Sequence, residues 1–394
     1  TAKVDGVDIT ASTGVIFTVG PFSPGVSTVV INPSAVVANG VDTTVVTVTV
    51  KDAQGNPISG SSVTLESTGG PNTIRQPVGL TGADGIAVGS VKSTKAETKR
   101  ITAKVGGVEI AITRNVTFVA GPFSPVSSEV HVDKTTAMAD GVDAITVTVY
   151  VFDAQGNGIE GKTVTIAATG SGNVYSQPVG TTDSNGRAIG TVKSTVAEGK
   201  AISAKADGAD IAETVPVTFG AGALHHFNVT HGGTATAGDA SSVTIDARDI
   251  QNNKITGFAG LVKVYTSSTI PGDYITWGLG NAAGSILSES GDTVRYQFVP
   301  ADLGDAELRI TDTKVESITI YASSGAVTSS SAAPLVVSHA PPDRMILVSG
   351  NNQRAVVNQE VASPLVVRVE DAFANPISGV TVTWAITKGG GYFD

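Results

Sequence analysis

Residues 43–60 read TTVVTVTVKDAQGNPISG, and residues 144–161 read AITVTVYVFDAQGNGIEG. In the first stretch strict alternation places Val46, Val48 and Val50 on one face and Thr47, Thr49 and Lys51 on the other, which is the period of a half-buried strand. In the second, Val147, Val149 and Val151 take the inward positions, with Thr148, Tyr150 and Phe152 opposite. Each strand runs into a cluster of turn formers, where Asp and Asn cap their own backbone, Gly accepts positive φ and Pro presets the next bend. The offset 153 − 52 = 101 aligns residues 1–121 with 102–222 without a gap. Thr1-Ala2-Lys3-Val4 falls on Thr102-Ala103-Lys104-Val105, and Gly20-Pro21-Phe22 on Gly121-Pro122-Phe123. A period of about a hundred residues is one domain rather than a solenoid unit.

The hairpin pattern D-x-x-x-N-x-I-x-G occurs four times, at Asp52/Asn56/Ile58/Gly60, Asp153/Asn157/Ile159/Gly161, Asp249/Asn253/Ile255/Gly257 and Asp371/Asn375/Ile377/Gly379. Around it, further alternating runs near Val29–Ile31, Val63–Leu65, Ala87–Lys92, Ile101–Val105 and Val116–Val119 bring the total to about seven short strands per repeat, the number an Ig-like sandwich needs. The expected fold is all-β, a row of tandem Ig-like β-sandwich domains forming an elongated rod. The boundaries read as 1–22, terminal strands of a preceding domain; 23–121 and 122–222, two full domains; 223–340, a longer divergent domain; and 341–394, the first strands of another. The third domain is expected to hold its extra residues around 266–292, and Trp384, aligned with Leu65, is expected in a core. Junctions such as Gly20-Pro21-Phe22 are short and Pro-rich, which limits backbone freedom, and about 35 Å per domain extends the segment to roughly 130 Å.

Composition agrees with this reading. Gly contributes 46 residues, charged residues are 15% and aromatics 5%, which suits thin, pleated strands and tight turns. A net charge of −10 argues against nucleic acid and anionic membrane as partners. Without Cys there is neither a disulfide framework nor a thiolate metal site, and no apolar run approaches the ~18 residues of a membrane span. The absence of a start Met and the repeat-like first residues read as a window cut from a longer protein.

The ordered trio VTVTVKDAQGNPISGSSVTL, TGADGIAVGSVKST and ITAKVGGVEIAITRNVTFVAG resembles the bacterial Ig-like domain group 1 repeats of intimin- and invasin-type surface adhesins. Residues 343–394, with PLVVRVEDAFANPISGVTVTW, resemble the start of another such domain, and the third domain is similar to a longer Ig-like or filamin-like bacterial repeat. The resemblance implies a β-sandwich stalk on a bacterial outer surface or in an exported protein, holding a binding module that these residues do not include.

Candidate chemistry is sparse. Asp52, Asn56 and Asp84 are hard oxygen donors of the kind Ca²⁺ takes, although a self-capping turn explains the same spacing. His225, His226 and His231 lie close in sequence, but adjacent strand residues point to opposite faces, which argues against a shared metal. Tyr274 and Trp277 form the aromatic-rich loop that could stack on a sugar or anchor a partner; the competing reading puts Trp277 in a core short of large side chains. A Lys–Asn crosslink would need a buried Lys beside an acid, and the recurrent Lys92 and Lys193 read as surface residues. No G-x-S-x-G, H-E-x-x-H or Cys nucleophile is present, so no enzyme is expected.

The leading expectation is a structural stalk of a cell-surface adhesin or extracellular fibre, outside the bacterial cell, whose partners are neighbouring Ig-like domains of the same or adjacent chains. The alternatives are a subunit of a self-assembling filament, in which the terminal strands of 1–20 complete the open unit of another copy, and a carbohydrate- or protein-binding module using the third domain.

Overall fold

A computed structural model describes residues 2–10, 14–330 and 332–390. Thr1, 11–13, Ser331 and 391–394 lie outside the described residues, and with them parts of the terminal strands expected in 1–22 and 341–394. Among the described residues the helical content is one 3-10 turn at Pro300–Asp302.

The chain opens with a short hairpin, β1 (Lys3–Val4) and β2 (Val7–Asp8), paired Val4↔Val7 and Lys3↔Asp8. The first complete domain follows as β3 (Thr28–Asn32), β4 (Ala35–Val37), β5 (Thr44–Thr49), β6 (Val63–Ser67), β7 (Asn72–Arg75), β8 (Ile86–Ser93), β9 (Thr98–Val105), β10 (Val108–Glu109) and β11 (Arg114–Val119). One sheet runs β3-β5-β8-β7 and the other β10-β9-β11-β4 with β6 on β9. All pairs are antiparallel except β4 with β11, which is parallel. Residues 129–220 repeat both sheets, including the parallel pair of Thr136–Met138 with Val215–Gly220. The opening hairpin has the register of β9 and β10, Val105↔Val108 and Lys104↔Glu109, displaced by 101 residues.

Alternation explains the layers. Val46, Val48 and Val50 on the β5 run are 0% exposed, as are Val147, Val149 and Val151, and they meet the inward residues of the other sheet, such as Leu65, Ile101 and Phe118. Each of the three sandwiches closes its own core. The total accessible surface of 21363 Å² compares with about 14,000 Å² for one compact globule of this mass, so the domains are strung out rather than clustered.

The third domain adds one hairpin and splits the second sheet in two, with Thr234–Thr236, Leu335–Ser338 and Ser317–Ile318 in one part and Leu261–Thr266 and Ile320–Ser324 in the other. Ser285–Ser290 and Thr293–Gln297 pair with each other and then with Leu261–Thr266, the strand whose first-domain counterpart, β6, is a sheet edge. The extra residues are therefore placed later than the expected 266–292, because Ile275–Leu279 is an ordinary sheet member against Asp305–Asp312, as β7 is against β8. This larger core takes Phe227, Phe258, Tyr296 and Phe298 in edge-to-face contacts. The Tyr296 hydroxyl donates to Asp302 at 2.9 Å.

The fourth unit shows Pro342–Ser349 paired with Val366–Asp371. Trp384 is 39% exposed, a correction to its expected core position. Leu65 is buried because β6 is held on β9, whereas residues 381–390 are not themselves strand.

Candidate functional site

The four D-x-x-x-N turns build the same object. Asp52 Oδ1 accepts the amides of Gln54 and Asn56 at 3.0 and 2.8 Å. Its Oδ2 accepts the Asn56 side-chain amide at 2.9 Å and the Gly20 amide at 3.0 Å. The backbone closes the ring, with the Asp52 amide donating to the Asn56 carbonyl. Asp153, Asp249 and Asp371 repeat every bond, with Gly121, Gly222 and Ala340 as the junction donors. Each carboxylate thus ties its own hairpin to the junction arriving from the preceding domain.

Electrostatics follow from those donors. The Asn56 side-chain amide and the Gly20 amide favour the ionised form and hold Asp52 down at about 2. For Asp153, Asp249 and Asp371 burial pushes upward, yet the hydrogen bonds from the paired Asn and the backbone amides outweigh it, and the carboxyl stays below its ordinary value.

In three of the four turns the Asn also reaches into the preceding domain. Asn157 Oδ1 accepts the Ala96 amide at 2.8 Å and its Nδ2 donates to the Thr94 carbonyl at 3.0 Å. Asn253 does the same with Ala197 and Thr195, at 2.9 and 3.0 Å. Asn375 does so with Val315 and Thr313, at 3.3 and 2.9 Å. Three consecutive joints therefore share one bidentate latch between a hairpin and the loop after Ser93, Ser194 or Asp312. In the last joint Phe373, where the other turns have Gln54, Gln155 and Gln251, packs on the third-domain core, and Lys314 Nζ donates to the Phe373 carbonyl at 2.9 Å.

This geometry reassigns the calcium candidates. All the Asp52 oxygens already accept N–H donors, Asn56 spends its amide on Asp52, and Asp84 accepts the Ile86 amide in its own turn at 3.0 Å; a cation would have to displace them. Among the described residues no group of three or more His, Cys, Asp or Glu could hold a metal. The histidines also differ from expectation: His225 precedes the strand that starts at His226, so the two rings meet edge to face with Nδ1 atoms 3.2 Å apart. His231 instead faces the Ala333 carbonyl at 2.8 Å.

Trp277 is 6% exposed and belongs to the third core, so its ring presents no stacking face to a sugar. Tyr274 lies at a polar cleft of about 380 Å³ with Lys314 Nζ 4.7 Å above its ring. The buried lysines are Lys99 and Lys200 rather than Lys92 and Lys193, each bonded to a carboxylate two residues back, Glu97 or Glu198. Sequence reading missed the latch partners; the recurrent Lys92-Ser93-Thr94 and Lys193-Ser194-Thr195 were their only signal.

Residues 26–119 and 127–220 each match the family model of the bacterial Ig-like domain (group 1). The inverse autotransporter adhesin YeeJ of Escherichia coli K12 is 23% identical over 363 residues, 90% of this chain and 15% of that protein. Intimin of Escherichia coli O157:H7 is 32% identical over 173 residues, 43% of this chain and 18% of that protein. The chain thus spans less than a fifth of either curated relative. Among solved structures, the Escherichia coli adhesin FdeC aligns with a TM-score of 0.48 at 20% identity, over 82% of this chain and 100% of that one.

Proposed function

We propose that this chain, whose residues 26–119 and 127–220 are tandem bacterial Ig-like domains of group 1, is a stiff section of stalk that holds a binding module away from a bacterial cell surface. The observation that carries the reading is the latch repeated at three joints. A flexible tether needs only a linker, whereas each joint here commits a carboxylate, an amide and two backbone groups of the preceding domain. Adhesion is named in the relative YeeJ, and a stalk needs no chemistry of its own.

Stiffness is testable in solution. X-ray scattering of the chain should give the profile of a single extended particle, and replacing Asn157, Asn253 and Asn375 together with Ala should broaden the ensemble while each domain stays folded by circular dichroism. A wild-type chain already as flexible as the triple variant would sink the stalk reading.

A further inference from the structure

The loops gripped by the latches are alike in two joints and different in the third. Ser93 Oγ accepts the Lys95 amide at 3.0 Å and donates to the Pro71 carbonyl at 2.8 Å. Ser194 Oγ accepts the Val196 amide and donates to the Val196 carbonyl, both at 3.0 Å. In the third joint the residue is Asp312, whose Oδ1 accepts the Lys314 amide at 2.8 Å in the same geometry. A hydroxyl can donate and accept, but an ionised carboxylate can only accept. Asp312 is 3% exposed, and its buried Oδ2 receives no N–H or hydroxyl donor and faces the Glu316 carboxylate instead.

Its surroundings make that state costly. Glu316, whose carboxylate takes the Ser268 hydroxyl at 2.7 Å, adds a like charge, and Lys314 the opposite one. Lys314 is committed to the Phe373 carbonyl and the Tyr274 ring. The paired strand brings Ile275, the turn before Ala240 brings the Gly238 amide to the Asp312 carbonyl, and the fourth unit brings Asn375 and Phe373 to the same loop. None of these three side chains titrates.

We propose that the joint between the third and fourth units is proton-gated: neutral Asp312 donates to the Glu316 carboxylate, as the serines of the other joints donate to carbonyls, and locks the loop for Asn375, whereas ionised Asp312 is repelled by Glu316 and loosens it. Burial first, and the Glu316 charge after it, push the carboxyl up to about 6 against the pull of the Lys314 amide. A folded-state value above the free one near 3.8 means stability that is complete below pH 3.8 and lost as pH rises through about 6. The stalk would then be uniformly stiff in mildly acidic surroundings and hinged at one joint in neutral ones.

The chain lacks Cys, so spin labels can be placed by Leu279→Cys with Met345→Cys across this joint and by Val88→Cys with Ile189→Cys across the first. As pH falls from 7.5 to 5, the distance distribution across the third joint should narrow with a midpoint near pH 6 while the first stays constant. Asp312→Asn and Asp312→Ser should be narrow at both pH values. Equal widths at both pH values in the wild type, or an unchanged midpoint in Asp312→Asn, would overturn the proposal, as would a carboxyl titration of Asp312 by NMR centred below pH 4.5.

Discussion

At the scale of single residues, the Asp–Asn pair divides one turn between two tasks. Asp153 completes its own hairpin and draws in Gly121, while Asn157 spends one amide hydrogen on Asp153 and its remaining groups on Thr94 and Ala96. Asn157→Ala removes two hydrogen bonds across the joint and strands the Ala96 amide, which should cost roughly 1–3 kcal/mol of coupling between the first two domains. Calorimetry should show their unfolding separating into two transitions. Asn157→Asp should be worse at neutral pH, since it sets a second carboxylate beside Asp153, and should recover on acidification. The turn aspartates carry the opposite pH sign to Asp312. With a folded value of about 2 for Asp52, below the free 3.8, its contribution is present above pH 3.8 and lost as pH falls through about 2. Melting temperature measured down an acid series should therefore hold to about pH 4 as far as these groups are concerned and fall between there and about pH 2. Chelator should leave the melting of the first two domains unchanged; a fall on adding EDTA would restore calcium to this turn.

At the scale of elements, strand crossings depend on glycines that the repeat preserves. A Cβ on Gly89 would lie 2.5 Å from Leu65 Cδ1 and 2.6 Å from the Arg75 carbonyl oxygen. On Gly190 it would lie 2.8 Å from Ile166 Cδ1 and 2.7 Å from the Ser176 carbonyl oxygen. Since the backbone oxygen cannot swing away, Gly89→Ala should destabilise the first domain by about 1–3 kcal/mol through overpacking, read as a lower denaturation midpoint at unchanged slope. The alternating strands were legible in the sequence because one buried face forces a period of two. The inserted hairpin was misplaced because Tyr274 and Trp277 look like a loop decoration locally. Only the pairing of Ile275–Leu279 with Asp305–Asp312 shows that Trp277 points inward, where the third core has room for it.

Over the whole molecule, stiffness is a property of joints, and each joint is built from residues about 60 positions apart, such as Asn157 with Ala96 and Asn375 with Val315. The offset of 101 residues, the hairpin pattern and the inward valines follow from the sequence alone, because repetition and alternation are one-dimensional signals that survive without coordinates. What Asn157 holds is not such a signal: its partners are backbone groups, which every residue possesses, so no side-chain type at Thr94 or Ala96 announces the contact. For the same reason Asp312 reads in sequence as one more surface acid. Folding decides otherwise, by burying that carboxylate at a joint where its counterparts are serines and setting it against the Glu316 carboxylate.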